Sequence, residues 1–368
     1  MNTRTLSVRA HLSTTLIGTL LGLAGIAQAT GPSAQWLLNR PNGDPRNSVV
    51  RVIDPAGGEG SGSVICKVVD NNGIGYLGVL SAAHVTPSAR GHRAVFGTPI
   101  QAIQANVGGP GSWSMNHPTV DLSVAAIRYG PVDAYFNGLV ELTRASWTPP
   151  ALGPGGSPTP LPNSIMNQFT SMGFGGTGTF SNGGMTFTGY TDDKRFQNNV
   201  LEQVERVTTG GRTYDSISWK FDVPAAAGFL AAEGTSFPGD SGGPYFGYAG
   251  QIGMEPVGPM TRHMNGWNPM APNWGLDPNG QYQNMQLRMN MIMGVHTWGD
   301  RPVGANDLNR NGRWDPGDFA PYGRWSGGVA LTPGLNAWID QMCMLVPTPS
   351  GAVVLAMSGL IVMRRRRD

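Results

Sequence analysis

Charge is scarce in this chain of 368 residues: only 13% are Asp, Glu, Lys or Arg. The whole chain carries a net +2. Two of its positive charges, Arg4 and Arg9, lie in residues 1–29, and residues 346–368 hold a net three, Arg364 to Arg367 against Asp368. The body between is left at about −3, with no basic footprint for nucleic acid. Cysteine is scarcer still, at two residues, Cys66 and Cys343. That is too few for a disulfide framework and enough for one long-range bridge, which spacing alone leaves open. Apolar runs of membrane-spanning length are also missing. The two longest candidates, Leu16 to Ile26 and Gly351 to Met363, fall short of the roughly 20 residues a helix needs to cross a bilayer. No long internal repeat is visible.

What the chain has in quantity is glycine, 54 residues, and proline, 29. With 40% hydrophobic residues and ten tryptophans it is not a disordered composition. It suits many short strands and turns better than long helices.

Both ends read as processing segments. Arg4 and Arg9 precede an apolar run and then Ala27-Gln28-Ala29, a small-x-small cleavage pattern, so residues 1–29 are expected to be a signal peptide. Residues 30–47 read as a polar leader. The C-terminal "VPTPSGAVVLAMSGLIVMRRRRD" resembles a PEP-CTERM sorting tail: Pro-x-Pro-Ser, a hydrophobic segment and a basic end. Thr348 stands where that family usually has Glu. The resemblance implies an exosortase-type processing enzyme as partner, transient membrane association, and a final location outside the inner membrane of a Gram-negative-type bacterium.

Between these ends, apolar runs alternate with Gly and Asn clusters. "SVVRVID", "GSVICKVV", "GYLGVLSAAHV", "HRAVFG" and "DLSVAAIRY" read as strands. "TPPALGPGGSPTPLP", residues 148–162, is rich in breakers and reads as a linker. Strand-like runs then resume in "NQFTSMGFGG", "GGMTFTGYT", "NVLEQVERV" and "SISWKFDV". Leu335, Trp338, Ile339 and Met342 are spaced as on one face of a short helix.

Activating a serine needs a base, a carboxylate that orients the base, and donors facing the oxyanion. His84, in "LSAAHV", follows an apolar run and two alanines and is the candidate base. Asp121, in "HPTVDLSVAAI", opens a strongly apolar run where a buried carboxylate needs a donor. Ser241 lies in "SFPGDSGGPYF", where the glycines let backbone N–H groups of Gly239 and Ser241 converge.

With these residues the chain resembles the trypsin-like, chymotrypsin-fold serine proteases. "GSGSVI", "LSAAHV", "HPTVDLSVAAI", "SMGFGGTG", "GDSGGP" and "GVHTWG" carry the resemblance, in the family's order, over residues 48 to 343. It implies an all-β fold of two six-stranded Greek-key barrels with a short C-terminal helix. The protease domain is expected over 48–345, with one barrel at about 48–147, the linker at 148–162, a second barrel at about 163–345, and the sorting tail from 346 to 368. His84, Asp121 and Ser241 are the implied triad, Gly239 and Ser241 the oxyanion hole, and Asp240 the holder of the nucleophile turn. Two departures stand out. No Ile-Val-Gly-Gly activation sequence occurs, the nearest being "NSVVRV", and Val85 replaces the cysteine that usually follows the histidine.

The resemblance also places a substrate-side-chain pocket at Thr235, Ser236, His296, Thr297, Trp298 and Gly299. No aspartate stands at Thr235, which argues against Arg or Lys substrates. His296 resembles the histidine of glutamate-specific bacterial relatives; a histidine packed behind a pocket for medium apolar side chains is the other reading.

"DLNRNGRWDPGD", 307–318, places Asp307, Asn309, Asn311, Asp315 and Asp318 at positions one, three, five, nine and twelve, Gly312 at six and the Arg313 carbonyl at seven. That is the spacing of an EF-hand-type loop, with Asp at twelve as in dockerin loops, and implies structural Ca2+. An Asx-rich turn is the alternative. Between Gly247 and Met293, Met254, Met260, Met264, Met270, Met285, Met289 and Met291 accumulate with His263. Methionine fills irregular gaps, so packing is favoured over a Cu(I) site.

The expectation is therefore an exported serine endopeptidase acting on peptide or protein substrates through an acyl-enzyme. A catalytically silent binding or scaffold relative and an esterase are the alternatives.

Overall fold

The computed structural model describes residues 45–346, apart from 71, 97–105, 132–138, 162–166, 182, 191–193, 210, 224–233, 248–254, 258–290 and 302–305. The expected signal peptide, the sorting tail from 347 onward and most of the Met-rich stretch lie outside the described residues.

The chain is almost entirely β. In chain order the strands are β1 (Val49–Ile53), β2 (Glu59–Val69), β3 (Ile74–Ser81), β4 (Arg93–Val95), β5 (Asn106–Gly108), β6 (Trp113–Asn116) and β7 (Ser123–Pro131). After them come β8 (Arg144–Ser146), β9 (Thr159–Pro160), β10 (Gln168–Gly173), β11 (Gly176–Ser181), β12 (Gly184–Tyr190), β13 (Arg195–Val200), β14 (Gln203–Thr209) and β15 (Arg212–Lys220). The last are β16 (Pro244–Gly247), β17 (Glu255–Val257), β18 (Met291–Gly299), β19 (Phe319–Pro321) and β20 (Trp325–Ala330), followed by helix α1 (Pro333–Leu345).

The first seven strands form one sheet in the order β5-β4-β1-β2-β3-β7-β6. A ten-stranded sheet takes most of the rest, with β13-β10-β16-β18-β20-β15-β14-β9 as its main path and β8 and β17 joined at β18. β11, β12 and β19 make a separate three-stranded sheet. Two curled sheets and a terminal helix are the arrangement of a chymotrypsin-like two-barrel fold. The strand counts, seven and ten, exceed the expected six and six.

Each sheet closes over its own apolar interior. Val50, Val52, Val64, Leu77, Val79, Phe96 and Ile127 fill the first. Phe169, Trp219, Tyr245, Ile217 and Met293 fill the second. A third cluster crosses between them, joining Val49, Leu80 and Leu122 to Phe174, Phe196, Val295 and the helix residues Leu335 and Ile339. Burial of this much aliphatic and aromatic surface is the main driving force for the fold.

Two expectations were refined. "NVLEQVERV" is not one strand: β13 ends at Val200 and β14 starts at Gln203. At the break the Leu201 N–H turns to Asn167 O at 2.9 Å and the Glu202 N–H to Ser218 O at 2.9 Å, as the chain passes from β10 to β15. Within 148–162, Thr159 and Pro160 form β9 and pair with Val204 and Gln203 of β14.

Helix α1 starts where Thr332 Oγ1 accepts from Leu335 N–H at 3.3 Å, with Pro333 preorganised in the first turn. Arg144 Nη1 donates to Asn336 Oδ1 at 3.0 Å and Arg144 Nη2 reaches Asp340 at 2.5 Å, tying the helix to β8. The Cys66–Cys343 disulfide ties its far end to β2, with Cα atoms 6.2 Å apart across a separation of 277 residues. A Cβ on Gly78 would overlap Cys66 Sγ, so glycine is required where β3 passes the bridge.

Candidate active site

The site is assembled where the first sheet meets the Ser241 turn. Ser61 of β2 donates its N–H to Ser241 O at 2.7 Å and its hydroxyl to Gly239 O at 2.7 Å. Ser81 of β3 holds Ser61 in place by donating to Ser61 O at 2.7 Å. These contacts pass across the two halves and explain the small residues of "GSGSVI". A Cβ on Gly60 would come 2.6 Å from Ser241 O. A Cβ on Gly242 would overlap Ser61 O, at a position whose φ of +86° itself calls for glycine.

His84 follows β3, and Asp121 precedes β7; β3 and β7 pair along their whole length. Pairing brings two positions 37 residues apart into contact. His84 Nδ1 lies 2.6 Å from Asp121 Oδ2, and His84 N–H donates to Asp121 Oδ1 at 2.9 Å. Asp121 is fully buried and the His84 side chain is 33% exposed. The carboxylate therefore orients the ring and leaves Nε2 facing the cleft. Thr297 is held close by: Tyr214 OH donates to Thr297 Oγ1 at 2.7 Å, and burial raises that phenol well above its ordinary value, so it remains a donor.

Ser241 and His84 line one cleft of about 400 Å3, together with Ser236, Phe237, His296, Thr297, Trp298, Gly299 and Trp314. Ser241 Oγ is hydrogen-bonded neither to His84 nor to any other described residue, though both side chains line the cleft. The nucleophile turn is closed by Asp240 N–H on Phe237 O at 3.1 Å, with Gly239 at φ +97°. The N–H groups of Gly239 and Ser241 carry no protein acceptor among the described residues, as an oxyanion site requires.

Asp240 is buried beneath this turn. It accepts from Phe237 N–H and Gly175 N–H, each at 3.0 Å. Burial outweighs these donors and the nearby Arg195 and pushes its carboxyl up to about 7. A Cβ on Gly175 would overlap the Asp240 carboxyl, which accounts for the glycines of "SMGFGG".

Four of the six expected pocket residues form the strand end His296–Gly299 in β18. Ser236 lies opposite, its hydroxyl 2.7 Å from Ser326 Oγ. Thr235 is fully buried and accepts from Arg324 Nη1 at 3.1 Å. Trp298 Nε1 donates to Ser216 Oγ at 2.8 Å, fixing the indole at the cleft wall. His296 is nearly fully buried; its Nδ1 lies 2.6 Å from Tyr245 OH, which receives Trp219 Nε1–H at 3.4 Å. Burial above all, with a smaller effect of the nearby His84, lowers the His296 imidazole to about 3. Sequence reasoning missed Ser61, Tyr214, Tyr245, Arg324 and Ser326. Each acts through a tertiary contact that no local motif announces.

The 307–318 loop has the backbone of its motif. Arg310 and Gly312 take positive φ, 58° and 70°, and Gly312 N–H donates to Asp307 Oδ2 at 2.7 Å. Its carboxylates do not converge. Asp318 accepts from Leu308 N–H and Asp315 N–H, while Asp315 Oδ2 takes the Nδ2–H groups of Asn309 and Asn311 at 2.8 and 2.7 Å. Among the described residues no group of three or more His, Cys, Asp or Glu is gathered as for a metal. Among the described residues, too, no helix is long and apolar enough to cross a membrane.

A scan against known protein families finds none that matches the chain, and a search of curated proteins finds no match. Among solved structures the chain is similar to the protease domain of MamO from Magnetospirillum magneticum in its apo form. That likeness has 8% sequence identity and a TM-score of 0.32, over 77% of this chain and 93% of that one.

Proposed function

We propose that the protein is a serine endopeptidase. The observation that carries this reading is the His84 Nδ1–Asp121 contact of 2.6 Å at the edge of the cleft that also holds Ser241. Ser241 Oγ attacks the substrate carbonyl carbon while His84 Nε2 takes the hydroxyl proton. The tetrahedral oxyanion is held by the N–H groups of Gly239 and Ser241. His84 then gives the proton to the leaving amine as the C–N bond breaks. Water, deprotonated by His84, hydrolyses the acyl-enzyme and returns Ser241 to its starting state.

Covalent labelling by a fluorophosphonate tests the nucleophile. Labelling that is lost in Ser241→Ala supports the reading; an unlabelled wild-type protein supports the silent scaffold instead. Peptide hydrolysis against simple-ester hydrolysis separates the peptidase from an esterase.

The protein is proposed to be exported, with the signal peptide and sorting tail removed; the intact mass of the extracellular product tests both. The 307–318 loop is proposed to hold structural Ca2+. The side chains at its ligand positions all carry oxygen, which suits a hard cation, and binding would require Asn309 and Asn311 to give up the bonds their Oδ1 atoms accept from Asn311 N–H and Arg313 N–H. Trp314 belongs to this loop and lines the cleft, with its ring 4.8 Å from that of Phe237. A cation there would stiffen the substrate side of the site and take no part in bond cleavage.

A further inference from the structure

His117 precedes Asp121 in the turn "HPTVDL". His117 N–H donates to Leu122 O at 2.7 Å and Leu122 N–H to Val120 O at 2.9 Å, so the backbone closes around Asp121. Pro118 has no N–H to give. The next two backbone donors, Thr119 N–H and Val120 N–H, both point to His117 Nδ1, each at 3.3 Å. Thr119 Oγ1 lies 3.4 Å from the same atom. Two backbone N–H groups aimed at one ring nitrogen require that nitrogen to be bare. The ring is therefore neutral, with its hydrogen on Nε2.

The surroundings hold the ring in this state. His117 is half-buried and meets Trp338 of α1 edge-on, with ring centres 4.9 Å apart and planes at 81°. From β15, Arg212 Nε donates to His117 O at 3.3 Å and sets a positive charge beside the turn. From the turn itself, the buried Asp121 carboxylate is committed to His84, through the ring Nδ1 and the backbone N–H. Burial above all, with Arg212 adding to it, keeps the His117 imidazole below its ordinary value.

A proton on Nδ1 would set a third N–H against the two already there. Thr119 and Val120 would lose their acceptor, and the turn would have to open to find them another. Asp121 is the next residue along the chain, and His84 takes its orientation from that carboxylate.

We propose that His117 is a positioning residue whose bare Nδ1 folds the turn that presents Asp121 to His84, so that a proton on His117 releases the His84–Asp121 pair. The inference rests on the peptidase reading, but His117 does not line the cleft and touches no reacting atom. Acid then switches the site off through two protons, one on His84 and one on His117.

The test follows kcat/KM between about pH 8 and pH 4. Protonation of His84 alone lowers it by about tenfold per pH unit, and a second coupled proton steepens the fall toward about a hundredfold. The steeper fall is expected in the wild type. His117→Ala removes the acceptor and is expected to lower kcat/KM by about tenfold even at pH 8, the size of one lost polar contact. His117→Asn restores an acceptor that does not titrate, because an Asn side chain bonds the backbone two residues on. It is expected to recover most of the loss and to show the shallower fall. Equal slopes in the wild type and His117→Asn, or a His117→Ala variant that matches the wild type throughout, overturn the proposal.

A second measurement needs no turnover. In Ser241→Ala protein, NMR follows the ring nitrogens of His117 and the low-field proton shared by His84 and Asp121. A bare His117 Nδ1 at pH 8, and a low-field proton that shifts in two steps, one of them at the His117 midpoint, support the assignment. Adding His117→Asn is expected to leave a single step. A protonated Nδ1 at pH 8, or one step in both proteins, overturns it. Two steps in a protein that cleaves no peptide leave the positioning role standing and count against the peptidase reading alone.

Discussion

His296 illustrates how a single side chain is set by what surrounds it. Its unfolded imidazole titrates near 6.5 and the folded one at about 3. Between those values the unfolded chain binds the extra proton, so stability rises with pH across the window and is lost as pH falls toward 3. The slope from this one group is at most about 1.4 kcal/mol per pH unit. His296→Phe is therefore expected to show a smaller drop in urea midpoint between pH 7 and pH 4 than the wild type; an unchanged drop would contradict the neutral, buried assignment. At Tyr214 the relevant bond is the 2.7 Å contact to Thr297 Oγ1. Removing the hydroxyl in Tyr214→Phe costs about 0.5–1.5 kcal/mol. Expressed in kcat/KM, that is a fall of about two- to tenfold if Thr297 steadies the site, and none if it does not. The approach of His84 to Asp121 beside Ser241 was legible because a proposed nucleophile, base and carboxylate need fixed residue types with characteristic neighbours. Arg324 and Ser326 were not, because "YGRWSGG" carries no local pattern that marks a pocket.

Among the elements, helix α1 shows how the terminal segment is secured. Arg144 is nearly buried and satisfies Asn336 and Asp340 at once. Arg144→Met leaves the Asn336 side chain short of a partner and is expected to destabilise by about 1–3 kcal/mol, read as a lower denaturant midpoint. The Cys66–Cys343 bridge closes almost the whole described chain into one loop. Replacing both cysteines with serine is expected to cost about 2–5 kcal/mol, and reduction of the wild type should reproduce the change. Helix α1 was readable from the spacing of Leu335, Trp338, Ile339 and Met342; it buries Leu335, Ile339 and Met342 together with Asn336, and Trp338 in part. The strands were readable from their apolar runs, yet "NVLEQVERV" hid a break. Burial there is continuous through Leu201, and only the change of hydrogen-bonding partner, from β10 to β15, ends one strand and starts the next. The pairing of the cysteines was open in the sequence because it depends on where the helix docks.

At the scale of the whole molecule, the two sheets meet through backbone contacts as well as through the apolar cluster that crosses between them. Ser61 grips the carbonyls of Gly239 and Ser241, and the glycines at 60, 173, 175 and 242 make room for that approach. Docking of the halves and formation of the nucleophile turn are thus one event. Ser61→Ala is expected to lower activity more than it lowers stability, because the hydroxyl acts on Gly239, whose N–H is a proposed oxyanion donor. The 307–318 loop supplies a second coupling, through Trp314 to Phe237 and Arg324. If Ca2+ is held there, adding it to chelator-treated protein should raise the thermal midpoint and shift Trp fluorescence, and Asp307→Asn should weaken both effects.

The most direct measurement is hydrolysis of a peptide library by the purified protein beside its Ser241→Ala variant. Cleavage by the wild type and its loss by about 10³-fold or more in the variant is the result the triad geometry predicts. Cleavage that persists in Ser241→Ala, or a fluorophosphonate-unreactive wild type that cleaves nothing, would contradict it.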